Sequence, residues 1–255
     1  MLNYLSAELW RMFRRGADKA GWLVFLLLTA LAGLLWSSDS PSGPLEVFQD
    51  LLVVGLYVAF PLAAWANGEA ARTDLLANEV AFGLPRSRIY LGKLCGAVLA
   101  GLLLFLLTAL VFLGVALPLA VRGGWGTTWE VALPLAAWSE LGEAVLCALP
   151  RYIGAAALAH FLIFSLRPAG LGAVLYYLYL IFGELTLSAV RFQGLGRVGA
   201  VLNVLGDVFQ PLLLSGPYFS GMPPAEVGQS WLVGAVWTVA ASAAGIALFR
   251  RREIR

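Results

Sequence analysis

Few side chains in this 255-residue chain have the means to do chemistry. There is one histidine, His160, and there are two cysteines, Cys95 and Cys147. Neither cysteine belongs to a CxxC or Cys/His group, so metal and redox chemistry lack raw material. No metal site and no cofactor bound by this chain are expected. Ionisable residues inside apolar runs come next, because charge at membrane depth is rare and often functional. His160, Arg151 and Glu184 qualify. A Glu184–Arg151 or Glu184–Arg191 pair would neutralise the carboxylate, and a free Glu184 would suit an ion-coupled secondary transporter. One His and one Glu are thin for a proton relay, so polar contacts between helices are the plainer expectation. Tyr176 and Tyr177, with Tyr179 and Phe182, form an aromatic cluster that would either line a path for amphipathic cargo or pack helices.

Nucleotide chemistry fails on spacing. A P-loop needs glycines so that backbone N–H groups cradle phosphate, then Lys and a hydroxyl. The nearest string is SRIYLGKL, residues 87–94, with Ser87 at the first glycine position and Leu94 at the hydroxyl position. It also runs into an apolar stretch. No nucleophile–base pair or carboxylate cluster suggests a membrane protease or transferase. The chain is therefore not expected to be an enzyme. A net charge of +2 is too small to suggest nucleic acid as a partner.

The elements that carry these residues are set by composition. The chain is 60% hydrophobic and 13% charged, where a soluble domain has about 25% charged residues. It reads as one all-α integral membrane domain over residues 1–255. Six apolar runs approach the roughly 20 residues that a spanning helix needs. They are 20–36, 47–66, 91–121, 144–166, 169–190 and 231–249. With the N-terminus inside, 13 of the 17 basic residues flank the inner ends, which puts both termini in the cytoplasm. A further apolar stretch, within 195–221, is broken by Asn203, Asp207, Gln210 and Pro211. It is expected to dip into the outer leaflet and return, since a true crossing would put Arg250–Arg252 outside. Residues 128–143, with three tryptophans nearby, read as an interfacial outer helix.

Residues 1–19 have Leu2, Leu5, Leu9 and Phe13 on one helical face and Glu8, Arg11 and Arg15 on another. That suits an amphipathic helix lying in the inner interface. The charged region is longer than the n-region of a signal peptide, so no cleaved leader is expected.

The segment 69–93, EAARTDLLANEVAFGLPRSRIYLGK, interrupts two oily runs. Thr73 or Asp74 would cap a short helix through Leu75, Leu76 and Glu79, Gly83 would end it, and Pro85 would block its return. Leu75, Leu76, Val80 and Phe82 would face a soluble partner, with charges at the rim. An ordinary inner loop whose arginines only set topology is the alternative. The layout of the whole chain resembles the permease subunit of ABC-2 type transporters, as do Glu69, Leu75, Leu76, Pro85, Arg86, Arg88, Gly92 and Lys93. In place of the G-T-L-type turn common in that family stands Ala70-Ala71-Arg72-Thr73-Asp74.

The resemblance implies a multi-pass subunit of a prokaryotic cytoplasmic membrane. It would be paired with a second permease subunit, as a homo- or heterodimer. Two separate ABC ATPase subunits would carry ATP and magnesium. Glu69, Arg72, Asp74, Leu75, Leu76, Glu79, Phe82, Pro85, Arg86 and Arg88 would then form the ATPase-docking segment. The cargo would be a drug, an antimicrobial peptide or a lipid-like molecule.

Overall fold

The computed structural model describes residues 2–14, 16–35, 43–67, 75–122, 135–166, 169–189, 196–209, 212–214 and 224–251. Among them there is helix and no strand. The helices are α1 (Leu2–Arg14), α2 (Gly16–Leu35), α3 (Gly43–Asn67), α4 (Leu75–Ala81), α5 (Arg86–Arg122), α6 (Leu135–Ser165), α7 (Ala169–Ala189), α8 (Gly196–Phe209) and α9 (Pro224–Arg251). Three stretches, Arg86–Leu119, Trp138–Ser165 and Val227–Arg251, are long and apolar enough to cross a membrane. Leu23–Leu35, Leu51–Asn67 and Gly170–Ile181 are shorter apolar helical stretches. One expectation changes: residues 135–143 are not a separate interfacial helix but the first turns of α6, which runs unbroken through Pro150.

The apolar stretch of α6 is 67% buried, against 22% and 28% for those of α5 and α9, so α6 is the central helix. Its sequence explains why. Apolar burial alone drives little association between helices bathed in lipid, whereas small residues permit close backbone packing. Gly154, Ala155, Ala156, Ala157 and Ala159 are all buried on α6, and α3, α5, α7 and α9 pack around it. The closest crossing is with α9, where a Cβ on Gly234 would collide with the Pro150 carbonyl.

Contacts along the helices fix their directions. Gly33 lies against Phe112 and Val115, while Thr29 and Phe105 line one cavity, so α2 and α5 run parallel. Gly55 approaches Tyr152 and Asn67 meets His160, which makes α3 parallel to α6. Arg151 bonds Ser230 and Phe164 packs on Phe249, so α9 is also parallel to α6. Tyr90 packs on His160 while Gly101 faces Tyr152, so α5 is antiparallel to α6.

Pro61 lies inside α3. A proline removes the N–H that would bond the carbonyl four residues back, here that of Tyr57. The tyrosine pair of α7 meets this gap. The Tyr177 hydroxyl donates to the Tyr57 carbonyl (3.1 Å), and that of Tyr176 to the Leu56 carbonyl (2.6 Å). Tyr176 is fully buried and its ring lies 5.4 Å from that of Phe60. This tyrosine pair joins α7 to α3 at the proline.

Candidate functional site

The densest polar cluster among the described residues gathers where α1, α4 and α5 meet. It grows from Lys93, one turn beyond the start of the apolar part of α5. The Lys93 side chain has no exposure. Burying an ammonium is tolerable only with partners that replace its water. Lys93 Nζ donates to Glu8 Oε1 of α1 (2.8 Å) and to Glu79 Oε1 of α4 (3.0 Å). Arg11 is paired with Glu8 and lies 3.9 Å from Glu79. Tyr4 donates its hydroxyl to Glu79 Oε2 at 3.1 Å. Gly92 leaves room for the Tyr4 ring, since any Cβ there would overlap it. Burial, and then the Glu8 and Glu79 carboxylates, push the Tyr4 phenol well above its ordinary value, so it stays a donor.

Two cations and two carboxylates balance in this set, and the Glu8 and Glu79 side chains are only 6% and 16% exposed. Such a closed, neutral set has no free nucleophile and no open coordination position. Its effect is mechanical: it fastens α4 to α1 and α5. The sequence puts Glu8 on the polar face of an interfacial amphipathic helix and Lys93 among the basic residues that set topology. The signal available was a lysine inside an apolar run, which demands a partner.

α4 itself is short and ends as expected. Gly83 has φ 79°, a conformation that costs L-residues and suits glycine. The Pro85 carbonyl accepts from the Arg88 and Ile89 amides (2.9 and 3.2 Å), opening α5. Phe82 stands 86% exposed on the turn between the two helices. Pro85 and Arg88 are exposed beside it. Leu76 departs from expectation. It is 5% exposed and packs into the main core, so it anchors α4 instead of meeting a partner. Glu79 likewise turns inward. Arg86 donates to the Phe249 and Arg250 carbonyls (3.2 and 2.6 Å), capping the C-terminal end of α9 where carbonyls lack helical donors. Glu69, Arg72 and Asp74 lie outside the described residues, as does the side chain of Leu75.

The residues at membrane depth take structural roles. His160 Nδ1 lies 3.0 Å from the Asn67 amide nitrogen, which also donates to the Ala63 carbonyl (2.9 Å). Tyr90 and Phe164 each place a ring 4.5 Å from the imidazole. Asn67 was not singled out from sequence; its place at the end of the second apolar run was the clue.

Arg151 Nε donates to Ser230 Oγ (3.0 Å), and Nη1 to the carbonyls of Leu213 (3.1 Å) and Leu214 (3.4 Å). Trp237 Nε1 donates to the Leu212 carbonyl (2.7 Å), and the Leu214 amide to Tyr179 Oη (3.2 Å). Residues 212–214, a short irregular stretch beyond α8, thus have polar groups met by side chains of α6, α7 and α9. Backbone of this kind is tolerated at membrane depth only where protein or water surrounds it. Glu184 lies in α7, but its side chain is outside the described residues.

Among the described residues no group of three or more His, Cys, Asp or Glu is arranged to hold a metal ion. No family model matches the chain. No curated protein matches it closely enough to count as a relative.

Proposed function

We propose that this chain is the membrane-spanning subunit of an ATP-driven ABC exporter. Its work is mechanical. Separate ATPase subunits bind ATP and magnesium, dock on the segment around α4, and shift the helices behind it. The cargo is hydrophobic or amphipathic, in keeping with spans nearly free of charge. α2, α3, α5, α6, α7 and α9 are the six crossings, both termini are cytoplasmic, and α8 with 212–214 is the outer re-entrant hairpin. Two such subunits, identical or paralogous, enclose the path.

One observation carries this proposal. A seven-residue helix is fixed to its neighbours by a buried charge cluster while an aromatic residue at its end is left 86% exposed. An exposed phenylalanine on a rigid mount has the makings of an interface anchor, because large apolar side chains in water mark contact sites. A rigid mount also converts a push on Phe82 into a push on α1 and α5. The energy comes from the differential affinity of the ATPases for two arrangements of the subunit, not from chemistry in this chain.

The test is co-purification of the full chain from its native membrane, with ATPase activity as readout. Phe82→Asp is expected to weaken the association at least about thirtyfold, the effect of losing a central anchor. Its thermal unfolding should be unchanged, since the side chain touches little of its own protein. Should an ATPase stay bound and active with Phe82→Asp, or none co-purify with the unaltered chain, the proposal is wrong.

A further inference from the structure

Between α2, α3, α5 and α6 the packing leaves a cavity of about 240 Å³. Its floor is hydrocarbon, with Phe48, Leu52 and Leu56 at most 6% exposed. Its rim includes Leu28 of α2 and Val54 of α3, which are 58% and 40% exposed. No charged residue lines it. The Thr29 hydroxyl is already committed to the Phe25 carbonyl at 2.9 Å. The Tyr152 ring forms part of the wall, and its hydroxyl is tucked against Gly101, where a Cβ would take its place. Gly101 and Thr108 stand about 15 and 26 Å along α5 from Leu91, inside a hydrocarbon layer roughly 30 Å thick.

These features decide what fills the space. A water needs two to four polar partners, and among the described lining residues only the Thr108 and Tyr152 hydroxyls lack a bond, too few to hold a file of waters. An empty space forfeits the dispersion contacts of its walls. An apolar cavity of roughly 150 Å³ already takes up benzene, so this one has room for a longer hydrocarbon. The surrounding medium at that depth is acyl chains, and the exposed rim residues open toward it. We infer that the cavity is a binding site for one acyl chain of a bilayer lipid, entering past Leu28 and Val54. The inference rests on membrane embedding and is independent of the exporter proposal.

The test uses the full chain in phosphatidylcholine vesicles containing a phospholipid with a diazirine in its acyl chain. After photolysis, adducts are mapped by mass spectrometry. Adducts are expected on Gly101, Leu104, Phe105 and Thr108 and on residues 52–56 of the cavity wall, as well as on the exposed Leu106 and Leu110. In Gly55→Leu the new side chain grows into the cavity, because a Cβ there meets nothing nearer than Tyr152 at 4.0 Å. That variant should lose the adducts on Gly101, Leu104 and Phe105 while keeping those on Leu106 and Leu110. Ala148→Leu fills the cavity from α6 and should do the same. Adducts confined to exposed leucines in the unaltered chain, or cavity adducts that persist in both variants, overturn the inference.

Discussion

Lys93 shows what a single buried charge demands. Its ammonium has two carboxylate partners, on two other helices, and its side chain has no exposed surface. Breaking such a set by removing one member costs about 3–5 kcal/mol, because the charges left behind stay buried. Lys93→Met should therefore lower stability by that order, measured as unfolding of the full chain in lipid nanodiscs. Adding Glu79→Gln should restore much of the loss, because it removes the stranded carboxylate and leaves Glu8 paired with Arg11. A single variant as stable as the original would mean the cluster is not structural. Sequence revealed half of this. The lysine stood out inside an apolar run, but Glu8 lies 85 residues away and reads locally as part of a polar helix face. Amphipathic periodicity gives the face of a residue, not the partner that another helix brings to it. His160 was more legible: a lone histidine in an apolar run points to an interhelical contact, and Asn67 supplies it.

Elements were easier to read than contacts. The six apolar runs fall on α2, α3, α5, α6, α7 and α9, since hydropathy over some twenty residues is a strong local signal. The start of α6 was misplaced because Trp138 and Glu140 look interfacial while the backbone continues as helix through them. Close approach between helices was not legible, because a glycine in an apolar run has many possible causes. Gly234 is the clearest case. In an exposed helix, glycine to alanine gains up to about 1 kcal/mol. At the α6–α9 crossing the added methyl meets the Pro150 carbonyl, backbone that cannot swing aside. Gly234→Ala should instead destabilise by about 1–3 kcal/mol, the usual effect of overpacking. Gly142→Ala, on an exposed part of α6 with open space at its Cβ, is the control and should not lose stability. Equal behaviour of the two variants would show that the crossing is looser than described.

The whole molecule is ordered by helix direction. α2 and α5 point one way and α3, α6 and α9 the other. The N-terminal end of α5 meets the C-terminal end of α9 through Arg86, which brings both ends to one face. On the proposed topology that face is cytoplasmic. In a chain with Cys95 and Cys147 replaced by serine, a cysteine at Phe82 or at Arg251 should react with an impermeant maleimide only from the cytoplasmic side. A cysteine at Val198 should react only from outside. A cysteine at Gly228, past the hairpin at the start of α9, should also react only from outside, and its labelling from the same side as Phe82→Cys would make α8 a crossing and sink the hairpin. The Arg86 contact also bears on how the protein is made. Its acceptors lie 163 and 164 residues further along the chain. The mount for Phe82 is thus not finished when α4 and α5 leave the ribosome. It closes only once α9 has been inserted, so a partner that recognises the finished mount would pass over nascent chains and engage subunits whose last helix is in place.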